Sequence, residues 1–137
     1  MANSQLVSGP NQTTIRMLRE DHRQILALFH LYLAISPDSR QTTVDQMLGL
    51  LEEHFRKEEG FLTAGMLSHR DDQARTCVKQ VHLEHDELRA MIGELRGSET
   101  DDDQALDEFF EDMMQTVRVH FLAKERDLFP RLDTPAG

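Results

Sequence analysis

At 137 residues the chain is long enough for one domain with a buried core and too short for two. Its net charge is −10 and no stripe or cluster of Lys and Arg is present, which excludes the electrostatic footprint of a protein that binds nucleic acid or anionic lipid. The single Cys77 cannot form an internal disulfide, and we find neither a secretory signal nor an apolar run of the roughly 20 residues that span a membrane, so we expect a protein of the reducing cytoplasm.

The distribution of apolar residues predicts an all-α protein. Leu and Met are plentiful, whereas runs of β-branched residues bounded by turn signals are missing. We expect a helical domain over residues 12–132, with flexible tails at residues 1–11 and 133–137. Its four helices, joined by short links, are predicted to form an up-down-up-down bundle.

The first two predicted helices each carry a histidine on their apolar stripe. The first helix covers residues 12–35 and ends at Ser36-Pro37, and its stripe consists of Ile15, Leu18, His22, Ile25 and Phe29. The second helix opens with the capping-box spacing of residues 38–41, and it directs inward Val44, Met47, Leu51, His54, Glu58 and Phe61. Side chains that can bind a metal therefore face the predicted core on both helices.

The last two predicted helices repeat this arrangement. After a polar break at residues 67–72, the third helix has the stripe Val78, Val81, His85, Leu88, Ile92 and Leu95, and it stops at Gly97-Ser98. Acidic residues 99–103 begin the fourth helix, which runs to Pro130 with the stripe Leu106, Phe109, Met113, Val117, His120 and Leu128. The segment around His22 resembles that around His85. The segment that begins at His54 likewise resembles the one that begins at His120, so two similar halves predict a site with pseudo-twofold symmetry.

The inward histidines and carboxylates predict a metal site in the bundle core. A histidine and a carboxylate four residues apart share one face of a helix, so His54 and Glu58 can bind one ion together, or Glu58 can bridge to a second ion. Buried without a metal, such groups would leave polar atoms unsatisfied at a cost of roughly 1–3 kcal/mol each. Imidazole and carboxylate donors without a thiolate suit iron, with manganese or zinc as substitutes.

On the fourth helix the carboxylate ligand is ambiguous. The residue four after His120 is Lys124, and Glu125 lies about 140° away from His120 around the helix. Asp127, seven residues after His120, shares its face. Glu125 and Asp127 are therefore competing candidates.

The order of these motifs resembles the hemerythrin-like (HHE cation-binding) family. A lone histidine is followed by His-x-x-x-Glu, by a histidine on the third helix, and by His-x-x-x-x-Glu with Leu-Phe-Pro after it, over residues 14–132. The resemblance implies two non-haem iron ions bridged by two carboxylates and an oxo or hydroxo group, with histidines as terminal ligands and an open position for O₂. The usual spacing of the family on the last helix favours Glu125 over Asp127. The matching positions are His22, His54, Glu58, His85, His120 and Glu125.

One position departs from the oxygen carriers of that family. These carry His-x-x-x-His on the third helix, whereas the residue four before His85 is Val81. His82, about 100° further around the helix, is the candidate for a fifth histidine, and Glu84 or water are the alternatives. If water fills the position, each iron has two histidine ligands and an extra open site.

Three functional hypotheses follow from the resemblance. The first is a di-iron protein that binds or senses O₂ or NO through one open position. The second uses the added open position at Val81 for redox chemistry, such as reduction of peroxide or NO, or for iron handling and repair. The third is a regulatory module whose metal reports the iron level to a protein partner. No feature of the sequence identifies that partner.

Overall fold

Helices account for nearly all of the structure, a computed structural model that describes residues 12–35, 37–68, 72–99 and 101–133. The helices are α1 (Gln12–Ala34), α2 (Pro37–Ser68), α3 (Asp72–Arg96), α4 (Asp103–Ala123) and α5 (Phe129–Asp133), with a π-helical turn, Lys124–Leu128, between α4 and α5. No strand is present in the described ranges, which confirms the all-α prediction. The predicted tails lie outside these ranges, apart from Asp133 at the end of α5.

The four long helices form the predicted bundle. Consecutive helices pack against one another, and α4 also contacts α1. The connections are short, at residues 35–36, 69–71 and 97–102, and short links place neighbouring helices antiparallel. None of the helices in the described part of the chain is both long and apolar enough to cross a lipid bilayer.

Local chemistry explains where two of the helices begin. Helix α2 starts at Pro37, a position where proline is favoured because the N–H that it lacks would have no partner within the helix. Helix α4 is preceded by Asp102, whose Oδ1 accepts a hydrogen bond from the N–H of Ala105 at 3.1 Å. The prediction that residues 99–103 form the first turn of this helix is therefore wrong for Glu99, Asp101 and Asp102, which precede α4, and Asp102 acts as its cap.

A layer of polar side chains divides the bundle core into two apolar clusters. The smaller cluster includes Leu18 and Leu128, and the larger one includes Ile25 and Phe121. The buried polar and charged residues that lie between the clusters along the helices are His22, His54, Glu58, His85 and Lys124. Because buried polar groups are costly without partners, this layer marks the part of the fold that packing alone does not explain.

The fourth predicted helix differs from the structure in two respects. Its buried aromatic side chains are Phe110 and Phe121, whereas Phe109 is only partly buried and His120 remains 21% exposed. Its α-helical part ends at Ala123, before the π-helical turn in which the N–H of Phe129 donates to the carbonyl of Lys124, five residues earlier. Such single turns are rare and often lie at functional sites.

Candidate metal centre

The centre of the polar layer is the carboxylate of Glu58, which is fully buried. Its Oε2 lies 3.2 Å from Nε2 of His22 and 3.2 Å from Nε2 of His54. Its Oε1 lies 3.0 Å from Nε2 of His85 and 2.5 Å from Nζ of Lys124. Each oxygen of Glu58 therefore faces two nitrogen atoms, which come from α1, α2, α3 and the π-helical turn.

The three histidines around Glu58 are also held from their outer side. In each of them Nδ1 lies at hydrogen-bond distance from a carboxylate on a neighbouring helix or turn. The pairs are His22 with Glu125 at 2.7 Å, His54 with Asp21 at 3.2 Å, and His85 with Glu59 at 2.7 Å. Both nitrogens of each imidazole therefore face a carboxylate. In a metal-bound histidine the lone pair of Nε2 binds the metal and Nδ1–H donates to such an outer partner.

The carboxylate of Glu58 is ionised despite its burial. Burial alone raises the pKa of Glu58, but the ammonium of Lys124 and hydrogen bonds from the three histidines outweigh it, so the pKa lies well below its usual range. The pKa values of the outer carboxylates Asp21 and Glu59 are lowered as well. Burial raises the pKa values of Asp21 and Glu59, while the hydrogen bonds that they accept, from Lys57 and Arg89 above all, lower them more. The layer is therefore rich in negative charge that suits a cation.

Three donor atoms of this layer fit a single metal ion. One ligand atom each from His22, His54 and Glu58 lies within 4.8 Å of the other two, and all three residues are buried. Two imidazoles and one carboxylate form a donor set that suits non-haem iron and leaves further coordination positions open. These three residues would hold a resident metal.

Lys124 belongs to the centre although the sequence reasoning assigned it no role there. Its side chain is 4% exposed, and Nζ lies 3.3 Å from Nε2 of His85 in addition to its contact with Glu58. A lysine is almost never fully buried unless it is paired. The signal that identifies it is the spacing of buried residues on α4 and the turn after it, where Val117, Phe121 and Leu128 place Lys124 on the same stripe.

Two predicted ligands lie at the edge of the layer. Nδ1 of His120 is 3.3 Å from Oε1 of Glu84, and both side chains are about one-fifth exposed. The carboxylate of Glu125, 32% exposed, contacts the outer nitrogen of His22, and this hydrogen bond is the main cause that lowers the pKa of Glu125. That Glu125 bridges two ions and that His120 binds one of them stay predictions.

The remaining candidates are spread around the centre. Val81 is buried in the smaller apolar cluster, and the neighbouring His82 is partly buried on α3 and is not one of the three residues in the described metal group. Asp127 is 56% exposed and forms an ion pair with Arg126 at 2.9 Å. The structure thus brings His22, His54, Glu58 and His85 together, while Asp127 points away from them.

The contacts of the two halves of the chain repeat. The outer nitrogen of His54 contacts the carboxylate that precedes His22, and the outer nitrogen of His120 contacts the carboxylate that precedes His85. The carboxylates five residues after His54 and after His120, which are Glu59 and Glu125, hold His85 and His22 respectively. In the same scheme the residue four after His54 is Glu58, and its counterpart four after His120 is Lys124.

Aromatic rings enclose the histidines. The ring of Phe121 stacks on His22 with centroids 3.8 Å apart and an interplanar angle of 4°. The ring of Phe55 stacks on His85 at 4.3 Å. A surface cavity of about 170 Å³ lies between α1 and α2 and is lined by His54, Asp21, Glu53 and Lys57 among others. Aromatic rings therefore pack against His22 and His85, while His54, which is 2% exposed, borders this cavity.

Comparison with known proteins supports the assignment of this layer as a cation site. The model of the hemerythrin HHE cation binding domain matches residues 13–132, which is most of the chain and includes all residues of the layer. No curated protein and no solved structure matches the sequence.

Proposed function

The chain belongs to the hemerythrin HHE cation-binding domain family, and from that premise we propose that it is a non-haem iron protein whose iron reacts with O₂, peroxide or NO. The observation that carries the proposal is the buried group of His22, His54 and Glu58, which offers two imidazoles and a carboxylate. Iron bound there supplies redox chemistry together with open positions for a small ligand.

Redox turnover is the first candidate because of the number of protein donors. A stable oxygen carrier needs a coordination shell that is full except for one position. At the Oε2 side of Glu58 the described group offers three donors, two imidazoles and one carboxylate. Several open positions favour reaction over reversible carriage, and we propose reduction of peroxide or NO in the cytoplasm, with electrons supplied by an external reductant that returns Fe³⁺ to Fe²⁺.

Reversible binding or sensing of O₂ or NO is the second candidate. The observation in its favour is the apolar wall formed by Phe55, Phe121 and Phe129, whose rings stack on the histidines. A dry, aromatic pocket protects a bound diatomic molecule from water and protons. We propose the surface cavity beside His54, lined by Asp21, Glu53 and Lys57 among others, as the route by which a cation or small ligand reaches the histidine layer.

Exposure of the Fe²⁺-loaded protein to air distinguishes the two candidates. The protein is loaded without oxygen, its iron is counted, and visible spectra are recorded before and after air or hydrogen peroxide is added. We expect oxidation that is not reversed when oxygen is removed, together with consumption of peroxide. A visible band that appears with O₂ and disappears on its removal would instead support the second candidate.

A pair of histidine variants locates the reacting iron. His54→Ala removes a donor atom of the proposed site, and we expect it to lose both the iron and the peroxide consumption. His30→Ala removes an exposed histidine from α1 and should retain both. Retention of iron and activity by His54→Ala would refute the proposed site.

A further inference from the structure

The ammonium of Lys124 stands where a second metal ion would have to bind. An ion held by Oε1 of Glu58 and Nε2 of His85 would lie about 2.0–2.2 Å from each of them. Nζ of Lys124 is 2.5 Å from that oxygen and 3.3 Å from that nitrogen. The nitrogen of the lysine and a metal ion therefore compete for the same place and for the same carboxylate oxygen.

The two halves of the chain repeat, and Lys124 stands in the second half at the position that Glu58 occupies in the first. Glu58 follows His54 by four residues and supplies the carboxylate of the complete half of the centre, where His22 and His54 share Oε2. The corresponding residue four after His120 is Lys124, so the other half has a cation where the first half has an anion. His85 therefore has an ammonium beside its Nε2, while, Glu58 apart, the carboxylates that contact His85 and His120, which are Glu59 and Glu84, do so at Nδ1.

We propose that Lys124 acts as a built-in cation in place of the second metal, so that the domain binds one iron tightly at His22, His54 and Glu58. The proposal rests on the metal site of the proposed function and adds its stoichiometry. A second ion at Oε1 would have to displace the ammonium, because Nζ already lies beside both that oxygen and Nε2 of His85. Other contacts also hold the ammonium of Lys124 in this position. Nζ lies 5.3 Å from the centroid of the Phe121 ring, and the side chain of Lys124 is buried.

Iron stoichiometry tests the proposal. Wild-type protein and the Lys124→Glu variant are loaded with excess Fe²⁺ without oxygen, desalted, and analysed for iron per chain by mass spectrometry. We expect one iron in the wild type. The variant places a carboxylate four residues after His120, as Glu58 stands four residues after His54, and we expect it to hold two. Lys79→Glu makes the same change of charge at an exposed position of α3 and should hold one.

In the metal-free Lys124→Glu variant two carboxylates would face each other in the core, and this repulsion can prevent folding. A second variant keeps the test valid in that case. Lys124→Gln removes the positive charge and adds no negative one, and competition with a chelator should show at least roughly tenfold tighter binding of a second Fe²⁺ than in the wild type, a difference of one pKd unit. Two tightly held ions in the wild type would overturn the proposal. One ion in both Lys124 variants, with the affinity for a second ion unchanged, would do the same. Absence of iron from the wild type would instead refute the proposed function itself.

Discussion

The imidazole of His54 is bound on both of its sides. Nε2 lies 3.2 Å from Glu58, and Nδ1 lies 3.2 Å from Asp21, which also accepts a hydrogen bond from Lys57 at 2.9 Å. The carboxylates on its two sides therefore fix the orientation of the ring. Because His22 and His85 are held in the same way, the outer carboxylates prepare the inner nitrogens for a metal.

Replacement of Asp21 by Asn should weaken metal binding without removing a donor atom. The substitution removes the charge that orients His54, and loss of such a partner typically lowers metal affinity by about 10–100-fold. Competition of the metal-loaded protein with a chelator measures the change. Asp86→Asn removes one negative charge at a residue of α3 that is 74% exposed, and it should leave the affinity within about twofold, since surface charges contribute little. Equal affinities of the two variants would show that Asp21 does not position His54.

At the scale of single residues, the sequence predicts the middle of the centre better than its edge. His22, His54 and His85 lie on apolar stripes with the spacing of a buried helix face, and the structure buries all three. Lys124 escapes prediction because lysine is nearly always exposed, and only its counter-ion inside the core explains its burial. That counter-ion, Glu58, comes from another helix, so local pattern could not reveal the pair.

At the scale of elements, the local sequence predicts most of the residues on the buried faces of the helices. Three of the four helices bury the residues that their periodicity predicts, with small differences at their ends. The fourth differs because Phe109 and Phe110 are adjacent, and the periodicity is compatible with either of them on the stripe that begins at Leu106. The π-helical turn at Lys124–Leu128 was not predicted, because no residue preference marks such a turn and its position depends on the packing of Leu128 and Phe129 against other helices.

The cap of α4 gives a prediction at this scale. Asp102→Ala removes the oxygen that accepts the N–H of Ala105, and we expect the free energy of unfolding to fall by about 1 kcal/mol. Urea denaturation measures it. Asp101→Ala removes the same charge one residue earlier, outside the capping position, and should change the free energy of unfolding by less than about 0.5 kcal/mol. A loss at Asp101 as large as that at Asp102 would indicate that charge near the helix dipole, and not the hydrogen bond, stabilises the start of α4.

At the scale of the whole molecule, the polar layer must be stable both with and without a metal. In the metal-free protein Glu58 is compensated by Lys124 and by the three histidines, so its charge is not left alone in the core. The two apolar clusters on either side of the layer are made of side chains that do not depend on a metal. We therefore expect the bundle to remain helical after removal of all metal.

Removal and return of iron check this expectation. Circular dichroism after dialysis against a chelator should retain the helical signal. Fe²⁺ at about 100 times its dissociation constant should then add about 2.7 kcal/mol to the free energy of unfolding, which raises Tm by roughly 5–15 °C for a chain of this size. Complete loss of the helical signal on chelation would contradict the role of Lys124 as a compensating charge and would favour a module that folds only with its metal.

The most direct test of the metal centre is a crystal structure of the iron-loaded protein with data recorded at the iron absorption edge. The anomalous signal locates iron independently of the protein atoms. We predict one peak about 2.0–2.3 Å from Nε2 of His22, Nε2 of His54 and Oε2 of Glu58, with Nζ of Lys124 still beside Oε1. Iron bound elsewhere, or none within reach of those three atoms, would contradict the assignment of this layer as the site of function.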